Sequence, residues 1–100
     1  MGQAGLGQMK VGKVVPPPAP TSFIMIRRND ETGISGTGKV LEGILFSSGK
    51  VVVNWCSSKA SVVVWDSIED FLDVHINSHP SNRSLLVWAD GSTWEHNGQS

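Results

Sequence analysis

From residue 22 the chain alternates in a way that predicts strands. In SFIMIRR, residues 22–28, Phe23, Met25 and Arg27 share one face, and Ile24, Ile26 and Arg28 share the other. A polar, glycine-rich loop, NDETGISGTG, follows. KVLEGILF, residues 39–46, reads as a second strand. FSSGK closes it tightly, with Gly49 free to take a positive φ. KVVVNW, residues 50–55, and SVVVW, residues 61–65, are a third and a fourth strand, rich in Val and separated by the turn CSSKA. The period then changes. In DSIEDFLDVHIN, Ile68, Phe71, Leu72 and His75 recur at i, i+3, i+4 and i+7, which is a helical stripe. Ser67 followed three residues later by Asp70 predicts a capped start, and Glu69 and Asp70 suit the positive end of the helix dipole. His79-Pro80 ends this element, because a residue before proline avoids helical angles. SLLVWAD, residues 84–90, returns as a fifth strand, Asp90-Gly91 marks a turn, and Thr93 to Glu95 forms a short sixth strand.

The order of strands, helix and strands predicts a mainly β, α+β fold. The first expectation is a small five- to six-stranded antiparallel SH3-like barrel, and the second a curled open sheet, in either case with one short helix between strands 4 and 5. The 100 residues are 39% hydrophobic and 17% charged, enough for one small core. Residues 1–21 differ in composition. Four glycines fall in the first twelve residues, and Pro16, Pro17, Pro18 and Pro20 follow, so this stretch reads as a flexible arm stiffening into polyproline II. The expected organisation is an arm over 1–21, a small β-barrel domain over 22–95 and a tail over 96–100.

The net charge is −1, but it is unevenly spread. Residues 1–65 hold seven basic and three acidic groups, +4, whereas residues 66–100 hold one basic and six acidic groups, −5. One acidic helix and an acidic tail account for most of this. Cys56 is the single cysteine, which removes an internal disulfide and a cysteine zinc site. No apolar run is long enough to span a bilayer, and the first residues lack a signal-peptide pattern. The expectation is a cytoplasmic protein of a bacterial host cell, without a membrane partner.

GISGTGKV, Gly33 to Val40, has the G-x-x-x-x-G-K spacing of a phosphate-binding loop, with Val40 where the Mg²⁺-binding Ser or Thr belongs. Such a loop must open a helix whose N-terminus meets the phosphates. Here Lys39 opens a β-patterned stretch. VVVWD resembles a Walker B strand, but LLVWAD resembles one equally, so the signal is cheap. The chain is also too short for a parallel sheet with crossover helices. Gly33, Gly36 and Gly38 therefore read as backbone positions with special angles between two strands. A loop so rich in N–H groups could instead hold an anion without hydrolysis.

His75 and His79 have i, i+4 spacing, but Pro80 breaks the register and no third ligand is evident, so no metal and no cofactor are expected. Cys56 reads as a small hydrophobe, buried at a strand end rather than a nucleophile, and no convergent acid, base and nucleophile set points to an enzyme. The tryptophans are more informative. Trp55, Trp65 and Trp88 close three strands, where in a barrel they would sit at a mouth able to bind a peptide or stack bases; completing the core is the plainer reading. Arg27, Arg28, Lys39 and Lys59 could flank such a surface and meet phosphates. A sequence pI near 6.2 argues against a dedicated nucleic-acid binder.

Taken in order, SGTGKVLEG (Ser35 to Gly43), VVVNW, SVVVWDSIEDFLDVH (Ser61 to His75) and LLVWAD resemble a group of small proteins encoded by phages, above all phages of actinobacteria, and by bacterial genomes. The pattern is an SGTG-x-V-x-EG block, a strand ending in Trp, and V-H after an acidic helix, and it covers residues 23–90. The group usually continues V-H-G-H, from which Val74-His75-Ile76-Asn77 departs. The resemblance implies a phage or mobile-element context and no particular activity. The expectation is a non-enzymatic binding module for a host protein, with Gly36, Gly38, Lys39, Arg27, Arg28, Trp55, Trp65 and Trp88 as its working surface. Alternatives are a nucleic-acid or nucleotide-binding module, and a structural or decoration component, self-associating and anchored by the N-terminal arm.

Overall fold

The computed structural model describes residues 13–29, 37–56, 59–78 and 80–95. The alternating stretches become β1 (Thr21–Arg27), β2 (Gly38–Leu45), β3 (Val51–Trp55) and β4 (Val62–Trp65), an antiparallel meander. A helical link follows, and then β5 (Ser84–Trp88) and β6 (Thr93–Glu95). All pairings are antiparallel, in the order β4-β3-β2-β1-β5-β6.

The sheet is open. Of the two forms the sequence allows, the protein takes the curled sheet under a helix, not the closed SH3-like barrel. The reason lies in strand direction. Successive antiparallel pairings make β4 and β5 run the same way, so no hairpin can join them. The chain crosses beneath the sheet instead and adds β5 beside β1. That leaves β4 and β6 as opposite edges, with no pairing between them among the described residues.

The crossing segment buries one face of the sheet. Ser67 is extended and its hydroxyl accepts from the Asp70 backbone N–H at 3.1 Å, the cap the sequence predicts for α1 (Ile68–Leu72). From Asp73 to Asn77 the helix widens to a π turn. Ile76, four residues beyond Leu72, continues the buried stripe of Ile68, Phe71 and Leu72. Ile76 is buried and His75 stays half-buried at the margin. The core between helix and sheet holds Phe71, Met25, Leu41, Ile76, Leu86, Val51 and Val53. Each such side chain contributes about 1.5–3 kcal/mol by leaving water.

Two details set the sheet's shape. Met25 pairs with Leu41 and Ile26 with Lys39, so Val40 is an extra residue, a β-bulge that turns both Val40 and Leu41 inward. Gly43 lies opposite Phe23, whose ring occupies the space a side chain at Gly43 would need. Upstream of β1, Val14 is buried in the same core cluster.

Candidate functional site

The residues singled out in the sequence do not converge on one surface. Gly36 lies outside the described residues, as do Gly33 and His79. Gly38 has φ +84° and opens β2. Lys39 is the next residue of that strand, and its Nζ meets Glu42 at 2.8 Å. The Glu42 hydrogen bond and charge raise the Lys39 pKa, and the same contact lowers that of Glu42. The chain then continues as strand to Leu45, so no helix N-terminus faces this glycine-rich stretch.

Arg27 is a buried residue on the helix side of the sheet, at the end of β1 and in register with Ser84. Its Nε and the Ser84 hydroxyl have no hydrogen-bond partner among the described residues. The neighbouring corner is tightly tied. Asn29 N–H donates to the Asn82 carbonyl at 2.8 Å, and Arg28 Nε to the Arg83 carbonyl at 2.7 Å. Arg83 holds a left-handed φ of 53° there. Arg28 also pairs with Glu95.

The tryptophans face the helix rather than a barrel mouth. Trp88 is buried with its ring 5.2 Å from Phe23, while half-buried Trp55 and Trp65 lie 5.0 and 5.5 Å from the His75 ring. Phe71 joins the two groups, 5.8 Å from Phe23 and 6.2 Å from Trp65. These rings form one aromatic seam through the core. Cys56, expected to be buried, is exposed, one residue past the end of β3. No group of three metal-binding side chains occurs among the described residues. No helix among them is long and apolar enough to cross a membrane.

The structure instead draws attention to residues the motif reading passed over. Alternation sends Ile24, Ile26, Ile44, Val52, Val62, Val64, Leu85 and Val87 to the face opposite the helix. Val62 and Val64 are 63% and 62% exposed, and Ile44 is 43% exposed. A shallow hollow of about 380 Å³ opens on this face, lined by Ser22, Ile24, Glu42, Ile44, Val52 and Asn54 among others. Its sequence signal is the unbroken runs VVV in β3 and β4, which mark strands apolar on both faces.

β4 is also an outer strand. Trp55 N–H donates to the Ser61 carbonyl at 2.9 Å, which makes 55 and 61 a hydrogen-bonded pair. The alternation of antiparallel ladders then turns the backbone groups of Ser61, Val63 and Trp65 toward β3, and those of Val62 and Val64 outward. The other edge, β6, is only three residues long and carries Glu95 in an ion pair. β6 is protected as natural edges usually are, whereas β4, with three valines and a tryptophan, has neither charge nor proline.

Comparison with known proteins agrees with the small-phage-protein resemblance. A family model described as Acb5 phage protein matches residues 20–90, from the proline before β1 to the turn after β5. No curated protein and no solved structure matches the chain. The match spans most of the sequence and all the elements from β1 to β5, and the chain belongs to the Acb5 phage protein family.

Proposed function

We propose that this phage protein is a non-enzymatic accessory factor that binds a host protein, and that the partner docks by adding a strand to the edge of β4 that no described strand pairs with. The observation that carries this reading is the outward-facing backbone of Val62 and Val64 on an uncharged, exposed edge. Strand addition draws affinity from main-chain hydrogen bonds and selectivity from alternate side chains. Val62 and Val64 flank the added strand on one face, and Val63 and Trp65 on the other. The basic residues lend less support to nucleic-acid binding, because Arg27 is buried and Arg28 and Lys39 are engaged by Glu95 and Glu42.

The test uses Val64→Pro. The Val64 N–H points away from β3, so proline removes no ladder bond there but blocks an added strand. The tagged full chain is used to capture a partner from host lysate, with and without nuclease. Binding is then measured with the purified partner. A partner that survives nuclease and loses the Val64→Pro variant, with far-UV circular dichroism and melting unchanged, supports the reading. Equal binding by the variant would falsify edge docking. Capture that disappears with nuclease would transfer the function to nucleic acid.

A further inference from the structure

The face of the sheet opposite the helix is a second surface, which meets the β4 edge at Val62 and Val64. Its rows can be read from the register. One row runs Ser22, Ile44, Val52 and Val64. The next runs Thr93, Val87, Ile24, Glu42, Asn54 and Val62. A third runs Glu95, Leu85, Ile26 and Lys39. Eight aliphatic side chains thus form a continuous field across five strands, and no described residue packs over the exposed part of it. A single helix covers only the other face.

We infer that this face binds a second copy of the same chain, pairing two open sheets into a β-sandwich with the two helices outermost. Two observations point to a copy of itself and not to a charged partner. The first is charge. Arg28 meets Glu95, Lys39 meets Glu42, and Lys50 meets Asp66 at 2.7 Å, so the charged groups of this face and its rim are joined within one chain. The face therefore presents no net charge, and two identical faces can approach without repulsion. The second is area. The three rows hold fourteen outward positions, each about 4.8 Å by 6.6 Å, which gives roughly 440 Å² per copy, or about 900 Å² for the pair, close to the roughly 1,000 Å² that a specific interface must clear. Sheets packed face to face interdigitate aliphatic side chains at about 10 Å, which suits a field of valine, isoleucine and leucine. A two-fold axis in the plane of the interface gives a closed, isologous dimer, the commonest form of homo-oligomer.

This face shares the Val62 and Val64 side chains with the edge of β4 but not the edge's backbone N–H and C=O groups, and the variants separate the two. Sedimentation equilibrium of the full chain is measured across the micromolar range for the wild type and for Ile44→Asp, Val62→Lys and Val64→Pro. The expected result is a wild-type dimer. Ile44→Asp and Val62→Lys weaken it by at least about 100-fold, since each buries an unpaired charge in the apolar interface. Both positions are exposed in the single chain, so circular dichroism stays native. Using two positions on different strands guards against one failing to fold. Val64→Pro keeps an apolar side chain at the end of the first row and weakens the dimer by no more than about tenfold. A monomeric wild type overturns the inference, and leaves the face to the chain's own residues 1–12 or to another protein. A dimer that both charged variants leave intact overturns it too. A dimer lost only in Val64→Pro assigns self-association to the β4 edge and equally overturns it.

Discussion

Gly43 gives the sharpest test of the packing. It sits in the middle of β2 with its missing side chain aimed at Phe23. A Cβ built there would lie 2.6 Å from Phe23 Cε1 and 2.8 Å from Cε2, with Cζ nearer still. Ordinary carbon contacts begin near 3.5 Å, so the ring must move by the better part of an ångström. It has little room to do so. Phe23 is buried, with Trp88 at 5.2 Å and Phe71 at 5.8 Å between ring centres. Overpacking of this kind costs about 1–3 kcal/mol. Replacing glycine by alanine lowers the entropy of the unfolded chain and offsets about 0.4–1 kcal/mol of that. The ring's confinement places the packing cost at the upper end, so Gly43→Ala should destabilise the protein by about 2 kcal/mol, or roughly 8–16 °C in Tm for a domain of this size. Urea and thermal unfolding measure it. Phe23→Leu frees the space, so the double variant should be less destabilised than the sum of the two single variants, a coupling of about 1 kcal/mol or more. An unchanged Tm in Gly43→Ala, or strict additivity in the cycle, would refute the contact and with it the β1–β2 register.

Ser67→Ala removes the cap on α1 and should cost about 1 kcal/mol in urea unfolding, while Ser67→Asp, which can also accept from the Asp70 N–H, should cost little. Arg27→Met replaces a buried guanidinium whose Nε has no partner among the described residues with an apolar chain of similar length, so the Tm should hold or rise; a loss beyond about 2 kcal/mol would show that the charge is paired. Acid should weaken the fold in a defined way. Glu42 and Asp66 have pKa values lowered by Lys39 and Lys50, and Asp90 by Ser92. Because each is lower in the folded state, its contribution is present above the unfolded value near pH 4 and disappears as pH falls through the folded one. Thermal melts from pH 7 to 2 should therefore show Tm falling on the acid side. Added salt should diminish the part due to Glu42 and Asp66, which are ion-paired, and spare the part due to Asp90, which Ser92 holds by hydrogen bonds.

The sequence by itself determined the elements. Strand-like composition, with valine runs in β3 and β4, marked five of the strands, Asp90-Gly91 announced β6, and Ser67 with the stripe at Ile68, Phe71 and Leu72 placed the helix start, because these are local properties of spacing and backbone preference. It also explained away the phosphate-loop pattern, since Lys39 continues as strand. Three matters were decided only in three dimensions. Strand direction made β4 and β5 parallel in sense, so the crossing helix delivered β5 beside β1 and left the sheet open, a consequence of long-range pairing that no local pattern records. Ile76 is the fully buried residue of the last helical turn, and half-buried His75 packs against Trp55 and Trp65 in an aromatic seam. Arg27 shares the Phe23 and Met25 face in the sequence as well, but its burial depended on β5 bringing Ser84 alongside. The two exposed apolar surfaces, the β4 edge and the face opposite the helix, follow from the same event. A valine run shows that a strand is apolar on both sides; only the placement of the helix decides which side remains uncovered.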